Sequence, residues 1–221
     1  MGAEPRLAGR TLIGLALTGL ALTGCPAEML GVELPESGVA ALSESDLQRD
    51  TRMLSEVSGE ARLERLHRRL QEMRLAPAFG RRWRSGEASC GLREGRSDGP
   101  AVLIVAVDDA AGVESGAVPA AALISLAKIT DLSEPAEGWL YCDVSPAGLD
   151  ELLAAPPVAV GRALVIGPLG DGPFEVSQGE LSQGEVTRAS VAASEPGRTA
   201  DSLDFRALRE RVEGLHRLSR Q

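Results

Sequence analysis

The first residue placed to do chemistry is a cysteine behind small residues. Leu22-Thr23-Gly24-Cys25 closes a run of mostly apolar residues, Thr11 to Leu22, and Arg6 and Arg10 precede that run. Basic, then apolar, then small is the layout of an export signal. The apolar run is too short to cross a bilayer, which takes roughly 20 residues. Small residues ahead of a thiol let the chain enter a peptidase site, and the thiol then takes a diacylglyceryl group. This is the bacterial lipobox. The expectation is a lipoprotein cut before Cys25 and held to a membrane through lipid on that residue, with an added N-acyl chain as the second lipid signal that stable anchoring requires.

Cys90 and Cys142 are the remaining cysteines. In an oxidising envelope an even count permits a disulfide. Sequence does not bring their Cα atoms within reach, so a bond and two free thiols both stay open. Other motifs are missing. There is no Walker loop, no zinc-binding cysteine pair and no His-Glu-x-x-His. Gly170-Asp171-Gly172 runs into Pro173, which makes it a turn and not a dinucleotide loop. His67 and His216 fall on amphipathic stretches and are expected on the surface.

The formal net charge is -9, and it becomes -10 once residues 1–24, with two arginines and one glutamate, are gone. So acidic a chain is a poor partner for nucleic acid. The charge is uneven: residues 62–96 hold ten arginines against four acids, and residues 97–197 hold three cations against fifteen acids. The basic stretch suits anionic lipid, or a solvated helix face that pairs with the acidic body.

The elements that would position any site follow from hydrophobic period. Residues 1–24 are the leader and 25–42 a Pro-, Gly- and Glu-rich tether. Residues 43–221 form one α/β domain with a helical pair over 43–76. Ser45 and Gln48 read as a capping box. Leu47, Leu54 and Val57 share a face, and Gly59 ends or bends that helix. Leu63, Leu66, Leu70 and Met73 make the stripe of a second helix, with Glu64 and Glu72 flanking Arg68 at i±4 on its outer face. Ala101 to Val107 is a continuous apolar run, as in a strand buried on both faces. Pro119 to Lys128 reads as a short buried helix, and no apolar run after the leader reaches membrane-spanning length. Trp139 to Cys142 and Val158 to Ile166 read as strands, and Phe174 to Val176 as a short one. Ser145-Pro146 reads as N-cap and N1 of a helix ending near Ala155. A last helix starts near Asp201, with Phe205, Leu208, Val212 and Leu215 as its stripe. Ser177-Gln178-Gly179-Glu180-Leu181 repeats as Ser182-Gln183-Gly184-Glu185-Val186. Two copies are too few for a solenoid, so the pair reads as a duplicated polar turn. Alternating helix and strand predicts a mixed central sheet flanked by helices.

Taken in order, these segments resemble the secreted di-zinc aminopeptidases, whose relatives include glutaminyl cyclase and glutamate carboxypeptidase. Leu70 to Gly80 resembles the family's first helix ending in Gly-Leu-x-Pro. Ala106-Val107-Asp108-Asp109-Ala110-Ala111-Gly112 stands where the family has Ala-His-x-Asp-x-x-Gly after a buried strand. Gly112 to Lys128 stands against Gly-Ala-Asp-Asp-Asn-Ala-Ser-Gly and its helix ending Leu-Ala-Arg. Asp143-Val144-Ser145-Pro146-Ala147-Gly148-Leu149 stands against Asp-Ala-Glu-Glu-x-Gly-Leu. Thr199 to Phe205 resembles the start of the last helix, which follows a His-x-x-x-Asp turn.

The departures matter more than the matches. The resemblance implies two zinc ions a few ångströms apart, bridged by a carboxylate, with a bridging water as nucleophile. Val107 holds the first histidine position and Ser115 the bridging aspartate position. Ser145 and Pro146 replace the glutamate pair of base and ligand. The third carboxylate falls near Leu169 and the final histidine near Gly197. Asp109 alone is kept, and in the family it orients a ligand. The chain is also shorter than the family, with the loss between Ser177 and Arg198. The expectation is a non-catalytic relative without cofactor, binding an unknown protein or peptide partner in the envelope and facing mostly the periplasm. Nicastrin and the transferrin receptor are family members of that kind. The alternatives are a hydrolase of altered chemistry, with Ser115, Ser145, Asp109 and Asp143 as its candidates, and an unrelated small envelope domain.

Overall fold

Among the described residues seven strands form one mixed sheet. The computed structural model describes residues 42–73, 75–77, 88–109, 112–133, 136–170, 174–181, 184–191 and 198–221. The expected leader, Cys25 and nearly all of the expected tether therefore lie outside the described residues, as does Gly197. The strands are β1 (Ala76–Pro77), β2 (Ala88–Arg93), β3 (Ala101–Val107), β4 (Trp139–Val144), β5 (Val160–Ile166), β6 (Phe174–Leu181) and β7 (Gly184–Val191). Their order in the sheet is β1-β2-β4-β3-β5-β7-β6. The centre, β4-β3-β5-β7, is parallel. β2 runs antiparallel to β4, and β6 antiparallel to β7.

The helices divide unequally over the two faces. One face carries α1 (Glu44–Ser55), α2 (Glu60–Glu72), α3 (Val118–Ser133) and α5 (Phe205–Ser219), which bury leucines and alanines against Val102, Ile104, Tyr141 and Leu164. The other carries α4 (Pro146–Ala154), whose Leu149, Leu152 and Leu153 pack on Leu103, Val105, Leu140 and Val165. β3 is apolar without interruption because it has helices on both sides and strands on both edges.

Several boundaries differ from the sequence expectation, each for a local reason. α1 starts at Ser43, not Ser45, because the Ser43 hydroxyl accepts from the Asp46 N–H at 3.3 Å. Leu42 and Leu47, at the two staple positions of that cap, are both buried, so the core begins one residue inside the expected tether. Gly59 sits at φ 54, a left-handed conformation, and joins α1 to α2. α3 is longer than expected. A π-helical turn, Val113–Ala117, leads into it, and Ser125 and Thr130 donate back to Ala121 O and Leu126 O at 3.0 and 2.9 Å. That satisfies the buried hydroxyls, so their polarity does not end the helix. Residues Val113–Thr130 are long and apolar enough to cross a membrane by composition, against expectation, yet 83% of that span is buried inside the fold.

The described part of the repeat is strand where a polar turn was expected: residues 177–181 lie in β6 and 184–186 in β7, with Glu180 opposite Glu185. Residues 175–180 of β6 are exposed, so nothing imposes the apolar alternation that would reveal a strand. β2 was unread because Ser89 and Gly91 occupy its helix-covered face. A Cβ at Gly91 would stand 3.3 Å from Leu75 Cβ.

Cys90 and Cys142 are direct register partners on β2 and β4, with Cα atoms 4.1 Å apart and their sulfurs joined. The bond closes a loop 52 residues apart in sequence. Non-reducing peptide mapping is expected to recover one crosslinked peptide. Reduction is expected to lower stability by roughly 4 kcal/mol in the chain-entropy estimate. Two alkylatable thiols in folded, oxidised protein would refute the pairing.

Candidate functional site

In open sheets with parallel strands, ligands bind outside the carboxyl ends of the strands. Here the ends of β3, β4 and β5 meet the π-helical turn before α3. Three backbone bonds tie them together. Asp108 N–H donates to Val144 O at 2.8 Å, Asp109 N–H to Ser115 O at 2.9 Å, and Leu169 N–H to Glu114 O at 2.8 Å. Val107, Asp109, Ser115, Ser145 and Leu169 therefore come to one end of the sheet.

Their side chains do structural work there. Val107 is half-buried and packs on the α4 side. Ser115 turns its hydroxyl to its own loop, 3.4 Å from both Asp109 O and Gly112 O. Ser145 caps α4 by accepting from Gly148 N–H at 3.3 Å, and Pro146 fills the first helical position. Leu169 lies in the core. Asp109 is exposed.

Of the charged residues that do converge, Asp143 is a sequence candidate, while Arg62, Asp108, Glu114 and Arg198 are not. Arg62 is 3% exposed on α2, where the leucine stripe had pointed to Leu63. Its guanidinium pairs with buried Asp108, and its Nε donates to Leu54 O and Val57 O at 3.1 Å each. A Cβ at Gly116 would run into both Arg62 Nη1 and Asp108 Oδ1. Glu114, 4% exposed, accepts from Arg198 Nη1 at 3.0 Å. Its carboxylate lies where Gly170 would place a Cβ. Thus the acid of this turn that reaches the end of β5 is Glu114, one residue before Ser115. Its cation comes from the residue after Gly197.

Asp143 completes the group. It is fully buried beside Ala106 of β3 and Ser89 of β2 in register. Among the described residues neither of its carboxyl oxygens nor Ser89 Oγ finds a hydrogen-bond partner. Burial pushes the Asp143 carboxyl well above the usual carboxylate range, and the neighbouring Asp108 pushes the same way, while Arg62 opposes them.

Two histidines complete the survey of reactive groups. His67 Nε2 lies 2.9 Å from Gln71 Nε2 on the outer side of α2. His216, expected on the surface, is 3% exposed, because it adjoins Leu215 on the buried stripe of α5. Neither belongs to the carboxyl-end cluster. In the basic stretch Arg65 pairs with Glu56, and Arg69 with Glu72 and buried Asp50.

The architecture places the chain in a known class. Solved structures similar to it include LapB from Legionella pneumophila, with TM-score 0.60 and 8% identity over 81% of this chain and 72% of that one. A Zn-dependent exopeptidase from Parabacteroides distasonis has TM-score 0.56 and 9% identity, over 80% and 97%. A glutaminyl cyclase from Bacteroides thetaiotaomicron has TM-score 0.55 and 10% identity, over 80% and 97%. No protein-family model and no curated protein matches the sequence. The chain therefore has a zinc-exopeptidase-like fold.

The donor set does not fit the zinc pair that this fold implies. Zinc needs imidazole, thiolate or carboxylate ligands. Val107, Ser115, Ser145, Pro146 and Leu169 offer none of these. The carboxylates of Asp108 and Glu114 are already held by guanidinium groups. Among the described residues no three histidines, cysteines or acids are grouped to hold a metal.

Proposed function

We propose that this chain is a non-catalytic relative of the zinc exopeptidases, kept in the bacterial envelope as a binding or scaffold module for a protein or peptide. One observation carries the reading. At the carboxyl end of the sheet, the buried carboxylates Asp108 and Glu114 are neutralised by Arg62 and Arg198. A fixed guanidinium supplies the positive charge a carboxylate needs, but it has no open coordination position and activates no water. The fold needs none of the missing ligands to pack, so architecture and chemistry separate.

Purified protein with added zinc is expected to hydrolyse no aminoacyl substrate above the uncatalysed rate. Val107→His is expected to leave it inactive, because Ser115, Ser145 and Pro146 still lack donors. Metal-dependent turnover by either protein would refute the reading.

The lipobox supports anchoring through lipid on Cys25, to the inner or outer membrane, with the domain mostly facing the periplasm. Native protein is expected to lack residues 1–24 and to partition into detergent. Cys25→Ala is expected to shift it to the soluble fraction. Wild-type protein found soluble with a free thiol at Cys25 would end this part of the proposal.

A further inference from the structure

We infer that the free edge of β6 is a docking strand for an extended peptide carrying basic residues; this rests on the reading of the chain as a binding module. β6 is the last strand of the sheet, and its pairing with β7 runs for eight residues without a register shift. Proteins usually blunt such an edge with charged side chains, lysine above all, with proline or with a bulge. Phe174–Leu181 has no lysine, proline or bulge, and its charges, Glu175 and Glu180, are both acidic, so they oppose an acidic strand and not a basic one. Among the described residues no strand pairs with its outer side, and residues 175–180 are exposed, so an added strand can reach the backbone donors and acceptors there.

Charge says which strand. Glu180 stands directly opposite Glu185, and like charges facing each other destabilise a sheet. Neither has an ion-pair partner among the described residues. Arg162 is next to Glu185 in register, but its guanidinium pairs with Glu137 and donates to Ser219 O at 3.2 Å. A cationic side chain from outside relieves this pair. Glu175 adds a third acid, on the opposite face. A second copy fits poorly, because antiparallel pairing about Ser177 and Gln178 would set Glu175 against Glu180 of the other chain.

Shape gives the apolar contact. Between the hairpin and the end of α5 lies a groove of 230 Å³, lined by Val176, Gln178, Glu185, Thr187, Arg162 and Leu218 among others. Val176 is 46% exposed, the large hydrophobic side chain left open among the described residues. Val176, Gln178 and Glu180 alternate along one face. An added strand would therefore place an apolar side chain beside Val176 and a basic one, four residues away, beside Glu180 and Glu185.

The test titrates the full chain in detergent, at physiological salt, with capped Thr-Lys-Thr-Thr-Thr-Val-Arg-Thr. This peptide fits antiparallel pairing, with lysine at Glu180, valine at Val176 and arginine at Glu175. Saturable binding is expected. Affinity is expected to fall at least about tenfold when glutamate replaces the lysine and arginine, and likewise for Glu180→Lys/Glu185→Lys protein. A peptide with proline at its two central positions keeps the charge but loses strand hydrogen bonds, and is expected to fall as far. Equal binding of the proline peptide would reduce the effect to surface charge and overturn the proposal, as would no saturable binding. A dimer in sedimentation that the peptide dissolves would overturn it in favour of a second copy. Saturable binding with the peptide recovered cut would uphold the docking strand and defeat the non-catalytic reading.

Discussion

Arg62→Met is expected to cost the domain about 3–5 kcal/mol, the usual penalty for breaking a buried ion pair from one side. The variant leaves Asp108 charged at 6% exposure with its guanidinium gone. It also frees Leu54 O and Val57 O, which Arg62 Nε holds at the end of α1. The side-chain stem is replaced by one of similar length, so little of the loss is packing. In a thermal melt the midpoint should fall by roughly 10 °C or more. Arg62→Met/Asp108→Asn should recover part of the loss, because the carboxylate no longer sits without its counter-charge. A single variant within about 1 kcal/mol of wild type in urea unfolding would show that the pair does not secure α2 to the sheet.

Asp143→Asn is expected to do the opposite and stabilise the domain at neutral pH, by about 1–3 kcal/mol, the cost of a buried polar group left unsatisfied. The amide keeps the shape, cannot ionise, and brings donors beside Ser89. The sign with pH follows from burial. The folded protein holds the Asp143 carboxyl above its ordinary range. Its protonated form therefore supports folding fully below the unfolded value near 3.9. That support is lost as pH rises through the folded value. The stability of the variant minus that of wild type should therefore be smallest near pH 4 and grow toward neutral pH. A difference constant across that range, or one that shrinks with rising pH, would mean Asp143 is not the buried acid described.

What sequence revealed and what it concealed divide along physical lines. β3, the N-cap at Ser145 and the stripe of α5 were legible because burial on a fixed period leaves a pattern in nearby residues. The order of segments carried the resemblance to the zinc peptidases, and with it the positions of Val107, Ser115 and Ser145. Arg62 was hidden because an arginine beside a leucine stripe looks like a solvated flank. Its partner lies 46 residues away. Glu114 and Arg198 are 84 residues apart, and only the folded chain joins them. β6 is concealed by its exposure, since an edge strand wet on both faces has no apolar rhythm to read.

The most direct measurement of the central claim is the zinc content of the purified chain by native mass spectrometry, after incubation with zinc and dialysis. The account predicts no stoichiometric zinc, and no rise in thermal midpoint when zinc is added, because Arg62 and Arg198 already hold Asp108 and Glu114 and no three ligating side chains are grouped among the described residues. About two zinc ions retained per chain, with a raised midpoint, would contradict it.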